Sequence, residues 1–205
     1  MKKEQKKIYF WLGGFIYTAL AALLLQVVIL PYIFPSLHAG NGLLKGLDSV
    51  SFHRIALDLA EQMKSKGLQV WQLRPSGHSP AGIAALFYWI FKIPKPLLLI
   101  PLNAALHATS FFLLALLLHN YISKISERLI QRFAVALPFL LFPTAMNWYT
   151  QIHKDGFFIL GFYLALYGIV TAFQLEKKSK RKLPVKQLLK VFISIGIGGM
   201  CIWIA

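Results

Sequence analysis

The chain has 205 residues, of which 57% are hydrophobic and only 14% are charged, whereas soluble domains average about 45–50% and about 25%. The net charge of +15 does not indicate nucleic-acid binding, because the basic residues are concentrated in short segments between long apolar blocks, as in membrane proteins. The single cysteine excludes an internal disulfide and a CxxC motif.

The first apolar block covers residues 8–34 and exceeds the roughly 20 residues that cross a bilayer. A cleavable signal peptide has an apolar core of only about 7–15 residues. The block is therefore predicted to be an uncleaved span that leaves the cytoplasm, so that the N-terminus is cytoplasmic.

Residues 35–95 are predicted to form an external loop with surface helices. Part of this loop shows the apolar spacing of one helix face, carried by Phe52, Ile55, Ala56, Leu59 and Met63. We expect an amphipathic helix lying on the membrane surface. Ser49 or Ser51 can cap its start and Gly67 can end it.

Residues 81–93 form a short apolar segment, and the question is whether it crosses the membrane. In a helix they cover about 20 Å, less than the roughly 30 Å hydrocarbon core. If they crossed, 15 of the 22 Lys and Arg residues would lie outside; if they are re-entrant or interfacial, 14 face the cytoplasm. The excess of positive charge on the cytoplasmic side favours the second arrangement.

Four further spans are predicted within residues 96–205, at 96–119, 133–146, 156–174 and 187–205. The fold class is therefore an all-α membrane protein with about five transmembrane helices, an external amphipathic helix and a short re-entrant or interfacial helix. Residues 1–205 are interpreted as a single transmembrane domain of the cell membrane. The apolar run GIGGMCIWIA at its end indicates a piece of a longer protein.

Two carboxylates, Asp48 and Asp155, then lie on the external side near the membrane boundary, where acidic residues are costly and often mark function. Each also has a structural interpretation. Asp48 can cap a helix, and Asp155 can pair with Lys154 or complement a helix dipole. Facing one cleft, the two could hold a divalent metal or act as a base on a sugar hydroxyl.

Seven further side chains are candidates for substrate binding. Four cations could hold a phosphate: Lys154, Arg54, Lys66 and Arg74. Three histidines could bind substrate or transfer protons, although a lone interfacial histidine is more often a hydrogen-bonded bystander: His53, His78 and His153.

Three stretches carry a family resemblance: GLDSVSFHRIALDLAEQ with Asp48, the proline-led SGHSPAGIAALFYWIF, and NWYTQIHKDGFFILGFYLAL with Asp155. Together they resemble the N-terminal part of multi-spanning glycosyltransferases of the GT-C type, which include protein mannosyltransferases and the aminoarabinose transferase of lipid A. The resemblance covers roughly residues 8–175.

The resemblance implies transfer of a sugar from a polyprenyl-phosphate-linked donor, with inversion at the anomeric carbon, to a glycan, lipid or protein acceptor on the external face. Asp48 would activate the acceptor hydroxyl, and nearby cations would hold the donor phosphate. Two other hypotheses stay open. One is an O-antigen-like polysaccharide polymerase; the other is a non-catalytic transporter, flippase or assembly subunit, whose functional acids would lie inside the spans.

Overall fold

A computed structural model describes residues 3–121, 138–178 and 185–205. Helices dominate these three ranges, and within them no strand forms beyond an isolated bridge between His38 and Leu44. The all-helical fold class is therefore confirmed.

Seven α-helices have both of their bounds in the described ranges, and residues 138–141 are also helical. In chain order they are α1 Lys3–Leu24, α2 Asp48–Lys66, α3 Ser79–Phe91, α4 Ile100–Tyr121, α5 Pro143–Thr150, α6 Asp155–Lys178 and α7 Val185–Ile204. Helix α1 packs against α4 and α5, α2 packs against α3, and α6 packs against both α4 and α7.

Four segments are long and apolar enough to cross a membrane: Lys7–Ile33, Pro96–Leu118, Asp155–Gln174 and Gln187–Ile204. They correspond to four of the five predicted spans, so the chain has the features of a membrane protein. The remaining predicted span, 133–146, lies partly outside the described residues, because residues 122–137 are not described; in its described part, residues 138–141 are helical and α5 begins at Pro143. A fifth span stays a prediction.

The first span changes its helical form near its end. After α1 the chain continues as a π-helix, Leu25–Ile33, which contains Pro31. Proline has no N–H and its ring collides with the carbonyl four residues earlier, which favours the wider i→i+5 pattern there. In agreement, the N–H of Phe34 donates to the carbonyl of Ile29 at 2.9 Å.

Helix α2 follows the predicted apolar spacing, but its surroundings differ from the expectation. Phe52, Ala56, Leu59 and Met63 are buried in a core shared with α3, so the apolar face is covered by protein rather than laid on a membrane surface. Gly67, with φ +81°, ends the helix as predicted.

The predicted serine caps of α2 are wrong. The helix begins at Asp48 and Leu47 is its N-cap, with no side-chain capping hydrogen bond. Asp48 therefore does not cap the helix either. Ser49 is buried and turns to another segment of the chain.

The first span ends, and α4 begins, at the same end of the helix bundle. Near α4's start, Asn103 Nδ2 donates to the carbonyl of Gln151 at 2.7 Å. Near the end of α7, the Arg74 guanidinium stacks 4.4 Å from the centre of the Trp203 ring. This geometry is required if the short helix α3 does not cross the membrane. The re-entrant or interfacial position of α3 stays a prediction.

Close packing of α6 on α7 depends on glycines at the contact, which include Gly161 and Gly198. A Cβ atom on Gly198 would lie 2.7 Å from the carbonyl oxygen of Gly161 and 2.8 Å from the backbone nitrogen of Ala165. A Cβ on the neighbouring Gly199 would meet nothing within 4 Å. Small residues at such contacts let helix backbones approach closely in membranes.

We therefore expect Gly198→Ala to destabilise the protein by about 1–3 kcal/mol, the range typical of overpacking. Gly199→Ala is the matched control, because it makes the same change in helix propensity one residue away in open space. Thermal unfolding in lipid nanodiscs compares the two. Equal melting temperatures for both variants would contradict the close approach.

Candidate functional site

Gln151, in the turn between α5 and α6, joins two distant parts of the chain. Its side chain is 1% exposed. Its Nε2 donates to the carbonyl of Gly42 at 3.2 Å, and its Oε1 accepts from the N–H of Leu44 at 3.0 Å and from Ser49 Oγ at 3.4 Å. We call these contacts the Gln151 clamp. The clamp fastens the turn to the first loop and to the start of α2.

The loop at the clamp has a backbone shape that its sequence explains. Gly40, Asn41 and Gly42 all have positive φ, at 99°, 53° and 77°, a conformation favoured by glycine and tolerated by asparagine. A Cβ on Gly42 would lie 2.6 Å from Cβ of Gln26. Glycine at position 42 therefore allows both the left-handed turn and the close approach of the loop to the first span.

Further buried polar groups surround the clamp. Gln26 of the first span donates from Nε2 to the carbonyl of Thr150. Gln26 Oε1 and Thr150 Oγ1 are buried without a hydrogen-bond partner among the described residues. Burying amides at the end of an apolar bundle is costly unless they are paired, so these contacts hold the turn in one position.

Asp48 lies beside the clamp. It is the first residue of α2, adjacent to Ser49, and it is exposed. Its carboxylate makes no hydrogen bond or ion pair with any residue in the three described ranges. The group is therefore available to a ligand.

Asp155 lies four residues beyond Gln151, at the first position of α6. Its carboxylate is 37% exposed and approaches His153 Nδ1 at 3.4 Å, and its N–H donates to the same nitrogen at 3.3 Å. Its neighbour is thus His153 rather than Lys154. The start of α6 also suits a negative charge, because helix N-termini carry partial positive charge.

The clamp brings together the segments that carry Asp48 and Asp155, but no contact joins the two carboxylates directly. Across residues 3–121, 138–178 and 185–205, no group of three or more His, Cys, Asp or Glu is arranged to hold a metal ion. Binding of a divalent metal by Asp48 and Asp155 stays a prediction that depends on those two side chains alone.

The candidate phosphate-binding cations do not form one cluster. Lys154 is exposed in the turn beside Asp155, and Arg54 is exposed on α2. Lys66 is the last of the 19 residues of α2, about 27 Å from Asp48 at 1.5 Å per residue, so the structure does not bring it to Asp48. Arg74 donates from Nε to Ser79 Oγ at 3.0 Å and stacks on Trp203.

His53 is a buried connection between α2, α3 and the first loop. Its Nδ1 lies 2.9 Å from the hydroxyl of Tyr88, and its Nε2 lies 3.3 Å from Asn41 Nδ2. Burial lowers the pKa of His53 from its ordinary value of 6.5, and burial raises the pKa of Tyr88. Both ring nitrogens are occupied, which fits a neutral, structural imidazole.

The other two histidines have different surroundings. His78 is exposed, and its ring centre lies 5.1 Å from that of Phe52. His153 borders a small cavity of about 10 Å³ that Asn103 and Phe157 also line, which is about the space that one water needs. His153 is two residues from Gln151 along the chain, whereas His38 contacts the clamp directly, because its Nε2 accepts from the N–H of Gly42 at 3.0 Å.

Sequence reasoning missed several side chains that build this region, among them Gln26, Asn41 and Gln151. Only Asn41 carried a local signal, because Gly-Asn-Gly is typical of a turn with positive φ. The hydrogen-bond partners of the Gln151 side chain lie 102 to 109 residues away along the chain. A periodic pattern in the sequence predicts only local structure and cannot identify such distant partners.

In three comparisons with known proteins, no family model, curated protein sequence or solved structure matched the chain.

The lowered pKa of His53 predicts a pH dependence of stability. At pH values between the folded and the unfolded pKa, the unfolded chain binds a proton that the folded protein does not. The contribution of His53 is therefore fully present above about pH 6.5 and is lost as the pH falls towards the folded pKa. Thermal unfolding between about pH 5 and 8 measures this loss.

His53→Gln, which does not titrate, should lose less stability on acidification than the wild type. The matched control is His78→Gln, which makes the same substitution at an exposed position. An unchanged pH dependence in His53→Gln would show that the His53 imidazole does not titrate as its burial implies.

Proposed function

We propose that the chain is an integral membrane glycosyltransferase, or the N-terminal part of one, which transfers a sugar from a polyprenyl-phosphate-linked donor to an acceptor on the external face. The observation that carries this proposal is the Gln151 clamp. It joins the segment of Asp48 to the segment of Asp155 at one end of a bundle whose helices can span a membrane.

Asp48 is the proposed base. An exposed carboxylate without a partner in the described ranges can accept the proton of an acceptor hydroxyl. The hydroxyl oxygen then attacks the anomeric carbon from the face opposite the phosphate, and the bond from that carbon to the phosphate oxygen breaks. The electron pair leaves with the phosphate, so the stereochemistry inverts.

Lys154 is the proposed phosphate-holding residue with the best position. It is exposed in the turn that the clamp fixes, and it precedes the first turn of α6. A cation placed where negative charge develops stabilises the leaving phosphate. Asp155, beside His153, would orient a polar ligand or share a divalent metal with Asp48.

The position of the acidic residues favours this proposal over a transporter. Within the four candidate spans, the only acidic residue is Asp155, and it stands at the first position of its span. Transporters that couple to ions carry such groups near the middle of the membrane. A polysaccharide polymerase would use the same chemistry, and the size of the product distinguishes it.

The test is Asp48→Asn in the protein as expressed, in membranes supplied with polyprenyl-phosphate-linked hexose and pentose donors and with glycan, lipid and protein acceptors. We expect the release of free polyprenyl phosphate to fall by roughly 10²- to 10⁴-fold, the usual contribution of a general base. Asn is the matched replacement, because it keeps the shape of Asp48 and removes the basic oxygen.

Glu61→Gln is the control for a lost charge on the same helix. Glu61 is exposed and, among the described residues, its carboxylate pairs with Lys64 alone, at 2.5 Å, so this variant should keep the wild-type rate. Undiminished transfer by Asp48→Asn would remove Asp48 from the mechanism. If the wild type turned over no donor with any acceptor of the panel, the proposed function would be contradicted.

A further inference from the structure

A second polar pocket lies on another side of α2, away from the Gln151 clamp. It is a half-open pocket of about 280 Å³ between α2 and residues 70–76, and its four polar lining side chains are exposed. Asp58, on its α2 wall, stands ten positions after Asp48, or about 15 Å along the helix axis. The pocket is therefore separate from the candidate catalytic region.

Four of the side chains that line the pocket are polar and unpaired. Asp58 and Gln62 come from α2, and Gln72 and Ser76 come from the opposite wall. Asp58 supplies two acceptor oxygens, each glutamine supplies a donor and an acceptor, and Ser76 supplies a hydroxyl. None of these four side chains makes a hydrogen bond or ion pair with any residue that the structure describes.

The opposite wall is shaped by a tight turn. Pro75 is buried, Ser76 has φ +52° and Gly77 has φ +83°. A non-glycine residue with positive φ is uncommon and costs conformational energy. This turn places Ser76 at the pocket opposite Asp58 and Gln62.

The composition of the lining restricts the chemistry of a ligand. Among the residues that the structure describes, no Lys, Arg or His lines the pocket, so the Asp58 carboxylate would repel a phosphate or carboxylate ligand. A single carboxylate is also too few for a Ca²⁺ site, which takes 6–8 oxygen ligands. A ligand with uncharged hydroxyl groups suits this lining. Each hydroxyl can donate a hydrogen bond to the Asp58 carboxylate and accept one from the side-chain amide of a glutamine.

The remaining lining is apolar and includes Ile55 and Val70. Such walls pack against C–H groups while the polar side chains fix orientation, which is the usual construction of a small-molecule site. At about 280 Å³ the cavity is near the lower limit for such sites, so its ligand is small.

We propose that this pocket binds a neutral sugar of about one pyranose ring, with two neighbouring hydroxyls donating to the Asp58 carboxylate and with Gln62, Gln72 and Ser76 contacting the others. The proposal does not require sugar transfer by Asp48, because binding here is an equilibrium property of a different pocket.

The test is equilibrium binding of methyl hexopyranosides and methyl N-acetylhexosaminides to the purified protein in phospholipid nanodiscs, which avoid detergents with sugar headgroups. Saturation-transfer NMR detects binding and titration gives the affinity. We expect at least one glycoside to bind, and Asp58→Ala to weaken it by roughly tenfold or more, the cost of losing hydrogen bonds to a charged group.

Glu61→Ala is the matched control, because it removes a carboxylate from the same helix outside the pocket lining and should leave the affinity unchanged. Gln72→Ala tests the opposite wall and should also weaken binding, which keeps the proposal testable if Asp58→Ala fails to fold. Inorganic phosphate and Ca²⁺ should not compete with the glycoside.

Three results would overturn the proposal: no glycoside of the panel binds, the pocket variants that fold bind as tightly as Glu61→Ala, or phosphate or Ca²⁺ displaces the glycoside. The binding measurement contains no lipid-linked donor and no transfer step. A negative result would therefore not bear on the role of Asp48, which the transfer assay tests. Loss of transfer in Asp48→Asn would likewise say nothing about Asp58.

Discussion

A buried amide must find hydrogen-bond partners, and in this protein that constraint positions the candidate site. The side chain of Gln151 is almost wholly buried, and leaving such a group unpaired costs about 1–3 kcal/mol. Its partners are the carbonyl of Gly42, the N–H of Leu44 and the hydroxyl of Ser49. Satisfying one side chain therefore holds the first loop, the start of α2 and the turn before α6 together, and Asp48 and Asp155 stand next to those segments.

The same constraint explains why polar groups gather at one end of an otherwise apolar bundle. Asn103 donates to the carbonyl of Gln151, and Gln26 donates to that of Thr150. The short turn between α5 and α6 exposes backbone carbonyls that no helix satisfies, so side chains from the first span and from α4 supply the donors. An irregular backbone near membrane depth is tolerated only where protein or water completes its hydrogen bonds.

The spans could be predicted from the sequence because their signal is composition over about 20 residues, and four of them are confirmed as candidates. The apolar face of α2 and its end at Gly67 were also predictable, since spacing and glycine act locally. The partner of that face was not, because periodicity identifies an apolar side without showing whether lipid or α3 covers it. Nor was the Gln151 clamp, because its partners are mostly backbone atoms of residues more than a hundred positions away. Asp48 and Asp155 could be proposed from their chemistry, because acidic residues near a membrane boundary are costly and often mark function.

The most direct test of the account is hydrogen exchange at the backbone N–H of Leu44, which donates to Gln151 Oε1 at 3.0 Å. The account predicts slow exchange in the wild type and fast exchange in Gln151→Ala, measured by NMR in nanodiscs. Gln187→Ala, a change at an exposed glutamine of α7, should leave the exchange at Leu44 slow. Fast exchange at Leu44 in the wild type, or equal protection in Gln151→Ala, would contradict the clamp and with it the placement of Asp48 beside the turn of Asp155.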